Sequence, residues 1–306
     1  MNGRRWLWLG CLGLGAVAAV AAIVGGVVSL TALRQIRSER AERDSVEHRL
    51  PPQRSARRAP EADGDRSTAP SGRGRVVLAV SVAQLTVLPA AAGEFVRLET
   101  RYDPNRYALD ERFERAADGS WTYRIRFEPS GSSMLALLRV KLGGPLPKLR
   151  LSLPRGVPLV LNGEVRSGVG AVELGGLIVE SAELRAEQGA LSLSFAEPLA
   201  EPMEWLSLVG DKGSVEITGL GNASPDRTSV RQHLGEIDLD LRGRWVRDGE
   251  IRVGAALAGG TIWLPEGVTI LGLEDRLEPV RERSELPRPV LTFSLERRGG
   301  SLAVVE

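Results

Sequence analysis

Apolar and polar residues alternate along most of the chain after residue 75, and glycines set the phase of the alternation. One phrase occurs five times: a glycine, an outward residue, an aliphatic residue, another outward residue, another aliphatic residue. It reads Gly170-Ala-Val-Glu-Leu174, Gly189-Ala-Leu-Ser-Leu193, Gly213-Ser-Val-Glu-Ile217, Gly235-Glu-Ile-Asp-Leu239 and Gly260-Thr-Ile-Trp-Leu264, with starts 19, 24, 22 and 25 residues apart. Period-2 alternation marks a strand with one buried face, and a leading glycine permits a positive φ. Recurrence every 20 to 25 residues marks the rungs of a stack, each burying its aliphatic face only against its neighbours. The pattern predicts an all-β fold of the β-solenoid kind. The apolar pieces Leu177–Leu184, Trp205–Val209 and Ile251–Leu257 lie between the phrases and would form the opposite wall of each coil.

The same alternation extends the folded region to residues 76–306. Residues 76–150 hold the N-terminal strands: Val76–Leu88, Glu94–Tyr102, Arg106–Arg115, Trp121–Phe127, Met134–Val140 and Leu149–Leu153. Ala117-Asp118-Gly119 joins the third to the fourth as a hairpin. Trp121, Tyr123, Ile125 and Phe127 share one face of the fourth, a stripe expected to pack in the core. Residues 151–270 hold the repeated rungs. They begin with Leu153-Pro-Arg-Gly-Val157 and end with its echo, Leu264-Pro-Glu-Gly-Val268. Residues 271–306 read as a closing hairpin, Val290–Leu295 with Ser301–Val305, that blunts an exposed sheet edge.

Before the folded region the pattern is different. Residues 1–5 are a short basic tail, and no charge falls from Trp6 to Leu33. As a helix those residues would be about 42 Å long, enough to cross a membrane and longer than the apolar core of a cleavable signal. Residues 6–33 are therefore expected to be a single transmembrane helix, with Trp6 and Trp8 at its interface. Cys11 lies inside this run, behind Trp8-Leu9-Gly10, which is a poor lipidation signal. Small residues four apart, such as Gly15 and Ala19, make a homodimer through this helix a further expectation. Arg4 and Arg5 favour a cytoplasmic start, whereas Arg34, Arg37, Arg40 and Arg43 favour the reverse. A short basic tail before a first apolar helix behaves as a signal anchor, which predicts an extracytoplasmic C-terminal domain. Residues 34–75, rich in Arg and Pro and lacking aromatic residues, form an expected disordered linker.

Composition sharpens the picture. The chain of 306 residues carries +1; residues 34–75 contribute +4 and Arg4 and Arg5 contribute +2, which leaves −5 for residues 76–306. An anionic domain is a poor partner for nucleic acid. Thirty-five glycines, 18 prolines and 5% aromatic residues suit many short strands and turns. The only cysteine, Cys11, lies outside the folded region, so neither a disulfide framework nor a thiolate metal site is available there.

Candidate chemistry centres on one charged rung, where Glu236, Asp238 and Asp240 precede Arg242 and Arg244 on the outward face. Stacked in the register of their glycines, Glu173, Ser192, Glu216, Asp238 and Trp263 would form one outward column. Glu216, Asp238 and Asp240 are the candidate ligands for a divalent cation, although the column lacks a calcium-binding repeat. The alternative enzymatic reading is a glycan hydrolase or lyase using Glu236, Asp238 and Asp240. His233 and His48 lack the partners of a metal triad or a Ser-His-Asp arrangement. Asn222-Ala-Ser224 matches an acceptor sequon and is followed by Pro225. No cofactor is expected.

The strand ending in Leu-Pro-x-Gly-Val, Gly170-Ala-Val-Glu-Leu-Gly-Gly-Leu177 and Gly235-Glu-Ile-Asp-Leu-Asp-Leu-Arg-Gly243 resemble the bacterial toast-rack, or putative-adhesin, β-solenoid domains. They are also similar to the C-terminal domain of LiaF-like cell-wall-stress proteins. The likeness covers residues 145–270 and, more loosely, 76–306. It implies an envelope-associated protein, often membrane-anchored, with no established enzymatic activity and in some members a part in sensing or restraining an envelope-stress signalling pathway. The expected role is a binding or scaffolding module that contacts an envelope protein or wall polymer. Here one membrane span stands where LiaF proteins have several.

Overall fold

The computed structural model describes residues 72–130, 146–272 and 289–306. They form thirteen strands: β1 (Gly74–Pro89), β2 (Arg97–Arg101), β3 (Tyr107–Arg115), β4 (Trp121–Pro129), β5 (Lys148–Leu153), β6 (Pro158–Glu173), β7 (Ile178–Ser194), β8 (Trp205–Thr218), β9 (Arg227–Asp240), β10 (Gly249–Trp263), β11 (Thr269–Leu271), β12 (Val290–Arg297) and β13 (Leu302–Val305). One 3-10 turn, Leu220–Asn222, lies between β8 and β9. Among the described residues no helix is long and apolar enough to cross a membrane. The expected membrane helix at residues 6–33 and the expected strand Met134–Val140 lie outside the described residues.

Six long strands form the body of the fold in the order β1-β6-β7-β8-β9-β10, and every neighbouring pair runs parallel. From β6 to β10 each strand pairs with the next in sequence, which is the winding of a solenoid-like coil. The apolar pieces expected on an opposite wall are the first halves of these same strands. In β8 the buried hydrophobic side chains are Leu206 and Leu208, then Val215 and Ile217. The inward parity therefore flips between the halves. A strand whose core side changes parity must turn a corner, so each long strand is two straight arms joined at a bend.

The bend falls at the glycines. Gly168, Gly189, Gly213 and Gly235 have φ of 128°, 129°, 122° and 126°, and they pair with one another in register from β6 to β9. The column shows that the first and last phrases are displaced by two residues from the register read in the sequence. The corner of β6 is Gly168 rather than Gly170, and Ala258 rather than Gly260 continues the column in β10. A displacement of two leaves every side chain on its face.

A third side closes each coil. The segments returning from one strand to the next also bond rung to rung, for example Leu174 N to Ser194 O (3.0 Å), Phe195 N to Thr218 O (3.0 Å) and Leu241 N to Trp263 O (2.9 Å). They bury Leu174, Leu177, Phe195, Met203, Leu220, Leu241 and Trp245 in the shared core. The two Leu-Pro-x-Gly-Val turns match: Gly156 and Gly267 have φ of 75° and 72°, and β6 and β11 open just after them.

The two ends of the coil are closed differently. At the N-terminal end β4 and β5 run parallel to the two arms of β1, and β3 and β2 pair antiparallel with them. The β3–β4 hairpin forms as expected. Asp118 Oδ1 accepts from Ser120 N at 2.9 Å and from Ser120 Oγ at 2.6 Å. Trp121, Tyr123, Ile125 and Phe127 are buried. Phe95 and Phe113 pack on Trp121 (centroids 5.2 and 5.9 Å), and Tyr102 and Tyr107 pack on Phe127 (5.3 Å each). At the C-terminal end β12 runs parallel to the first arm of β10 and β13 parallel to the second. The expected closing hairpin is instead a shortened rung, because its two strands follow the two arms of β10 and bend at Gly300, whose φ is 82°.

Candidate functional site

The charged rung lies on the second arm of β9, where outward positions alternate with the buried Ile237 and Leu239. Across the ladder Ser192, Glu216, Asp238 and Thr261 form one outward column. Glu173 and Trp263, expected in it, are two positions away, because the first and last phrases are displaced. Glu173 pairs with Ser194 and Trp263 with Asp240. Glu173 ties a turn together: its Oε1 accepts from the amides of Gly175 (2.9 Å) and Ala196 (3.1 Å), and its Oε2 from Ser194 Oγ (2.6 Å).

The three acids of the rung differ electrostatically. Burial raises the Glu236 pKa, and the charges of Asp238 and Glu216 raise it further. Burial also raises that of Asp238, against the opposing bond from the Thr261 amide at 3.1 Å. Asp240 is only 8% exposed. Burial pulls its pKa up, but the net direction is down, because Arg242 binds it with both prongs, Nε to Oδ1 at 2.8 Å and Nη2 to Oδ2 at 3.0 Å. Asp240 is therefore a fixed anion in an ion pair, while Glu216, Glu236 and Asp238 form a cluster of like charge. Among the described residues no group of three or more His, Cys, Asp or Glu is placed to hold a metal ion.

The raised pKa values have a consequence for stability. The folded chain holds the Glu236 proton more tightly than the unfolded chain does, so stability falls as pH rises from the unfolded value through the raised folded one. The penalty is complete above the raised folded value. Glu236→Gln is expected to raise the urea midpoint at pH 7. The gain should shrink as pH is lowered through the raised folded value and be gone below the ordinary glutamate value of 4.5. Urea titrations across that range check both the sign and the window.

A second cluster was not legible from local sequence. Asp211 Oδ2 accepts from Arg185 Nη2 at 2.7 Å, and Asp211 Oδ1 lies 3.0 Å from His233 Nδ1. The bond from Arg185 is the main cause of the lowered Asp211 pKa. The residues come from β7, β8 and β9, at sequence distances of 26 and 22. The signal that could have found it is the glycine register, since Asp211 and His233 each stand two residues before a corner glycine. Asn222 of the sequon bridges returning segments: its Nδ2 donates to Phe195 O at 2.9 Å, and Arg244 N donates to its Oδ1 at 3.1 Å.

A depression of about 460 Å³ lies on the returning side, lined by Asp226, Val246, Arg247, Asp248 and Pro289. Arg247 Nε is 2.9 Å from Asp226 Oδ1 and 3.0 Å from Ser224 O, and the guanidinium also donates to Met203 O. Asp248 Oδ1 accepts from Val290 N at 2.9 Å. These polar groups hold neighbouring segments together.

No family model matches the sequence. No curated protein matches it either. Among solved structures, the crystal structure of a "putative cell adhesion protein" from Clostridium sporogenes aligns with 77% of this chain and 93% of that one, at 13% identity and a TM-score of 0.34. That is a distant likeness to an adhesin-type protein. It gives no support to the similarity with LiaF-like proteins.

Proposed function

We propose that the protein is a non-enzymatic binding or scaffolding module of the cell envelope, anchored by residues 6–33 with its coil on the extracytoplasmic side. The observation that carries this reading is the continuous outer wall made by in-register parallel strands. Six long strands held by ladders on both sides form a stiff platform, and outward charges pair along their own strands, as in Arg166–Glu164 and Arg252–Glu250. Such a surface suits contact with an extended polymer or another envelope protein. The engagement of Asp240 by Arg242 supports the same reading, since it withdraws one of the three acids that a glycan-cleaving site would use.

The test is co-sedimentation of the purified full-length chain with insoluble peptidoglycan, with assay of released reducing ends. The expected result is pelleting without sugar release, unchanged in a Glu236→Gln, Asp238→Asn double variant. Sugar release by the natural chain that disappears in the double variant would favour a glycan-active enzyme instead. Failure to pellet, with capture of a membrane sensor protein, would favour regulation of an envelope-stress pathway.

A further inference from the structure

The outward wall of the second arms changes sign along the coil. One column of ladder neighbours runs Glu99, Arg150, Thr86, Ala171, Ser192, Glu216, Asp238 across β2, β5, β1, β6, β7, β8 and β9. The column beside it, from β5 to β9, runs Lys148, Gln84, Val169, Ala190, Ser214, Glu236. In these columns positive charge stands on β5, three strands of small or uncharged residues follow, and negative charge stands on β8 and β9.

Neither pole is neutralised within the chain. Glu99, the ladder neighbour of Arg150, pairs with Arg97 at 2.9 Å, which leaves Lys148 and Arg150 without an ion-pair partner among the described residues. Residues 131–145, which lead towards β5, carry Arg139 and Lys141 and no acid, so that stretch brings no counter-charge. At the other pole Glu216, Glu236 and Asp238 repel one another, and the charges of Glu216 and Asp238 add to burial in raising the Glu236 pKa.

The two poles fit each other across a symmetry axis. A two-fold parallel to the strands and lying over β6 reverses the order of the rungs and keeps every column in place. It sets Arg150 of one copy against Glu216 of the other, and Lys148 one strand from Glu236. Glu99 falls opposite Asp238 already paired with Arg97. At the axis the walls meet through Ala171 and Val169, with Thr86 facing Ser192 and Gln84 facing Ala190, so small side chains permit close approach.

We propose that this wall is the contact between two copies of the chain, packed face to face about that axis, with Lys148 and Arg150 of each against Glu216, Glu236 and Asp238 of the other. A partner of one sign would satisfy one pole and be repelled by the other, whereas a second copy satisfies both. The contact is isologous and closes as a dimer. From β2 to β9 the wall measures about 29 Å by 17 Å, roughly 500 Å² per copy against the ~800 Å² of a standard interface, so the association is weak and sensitive to salt. This inference does not depend on the ligand proposed above, because the ion pairs cited there lie on the first arms.

The test uses the full-length chain in detergent with Cys11→Ala and one new cysteine on the axis, Ala171→Cys, treated with a bifunctional thiol reagent of about 10 Å, the spacing of packed sheets. A linked dimer is expected at low salt, while Ser207→Cys, on the first-arm wall, stays unlinked. Adding Lys148→Glu with Arg150→Glu to the Ala171→Cys chain should cut linking at least ten-fold, as should adding Glu216→Lys with Glu236→Lys, with far-ultraviolet circular dichroism unchanged. Mixing the two charge-reversed chains should restore the link, because each then carries the sign the other lacks. An Ala171→Cys chain that stays unlinked would overturn the proposal, as would equal linking through Ser207→Cys. Linking that survives either reversal, or a mixture that stays unlinked, would overturn it too.

Discussion

Gly213→Ala is expected to destabilise the coil by upwards of about 4 kcal/mol, a large share of the stability of an ordinary domain. Two penalties combine. The φ of 122° belongs to a region that L side chains rarely adopt, which costs on the order of 1–3 kcal/mol. A Cβ at this position would also lie 1.8 Å from the carbonyl oxygen of Gly189 and 2.7 Å from its carbon. That neighbour is backbone, fixed in ladders on both sides, so no rotamer change relieves the overlap. Gly189 and Gly235 stand in the same relation to the rungs before them, at 1.9 and 1.8 Å. Gly156→Ala is the matched control: its φ of 75° is also positive, but nothing lies within 4 Å of its Cβ position, so a loss of roughly 1–2 kcal/mol is expected. Urea unfolding followed by tryptophan fluorescence measures both. Equal losses would mean that the corner glycines are not stacked.

The period-2 phrases made the coil legible, because a stack of strands repeats its inward positions and the sequence repeats with it. What local alternation could not show was the continuity of each strand through its corner. Trp205–Val209 and Gly213–Ile217 read as two pieces because the inward parity changes between them, yet they are two arms of β8. Nor could alternation choose between Gly168 and Gly170 as the corner of β6. Both glycines precede aliphatic residues at even spacing, and only pairing with β7 decides between them.

The candidate site was legible to the same degree. Ser192, Glu216 and Asp238 fall in one column because their three phrases carry the corner glycine at the same place. Glu173 and Trp263 fall out of it because theirs do not. The separation of Asp240 from the other acids depends on the Arg242 side chain folding back two residues, which a pattern of outward positions does not specify. The closing segment reads as a hairpin for a related reason: two short strands around Gly299-Gly300 look alike in sequence whether they pair with each other or with the two arms of β10.

The register of the coil can be read with a molecular ruler. Glu216 and Asp238 are ladder neighbours on β8 and β9, so cysteines at the two positions in a Cys11→Ala chain stand one strand spacing apart, about 4.8 Å. Ser192 and Asp238 lie in the same column with β8 between them, roughly 9.6 Å apart at the same spacing. Treatment with a bifunctional thiol reagent matched to the shorter distance, read by mass spectrometry, should bridge the Glu216→Cys, Asp238→Cys chain nearly completely within one molecule. The Ser192→Cys, Asp238→Cys chain should remain open. Bridging of the second pair, or none of the first, would contradict the winding of these segments as successive in-register rungs.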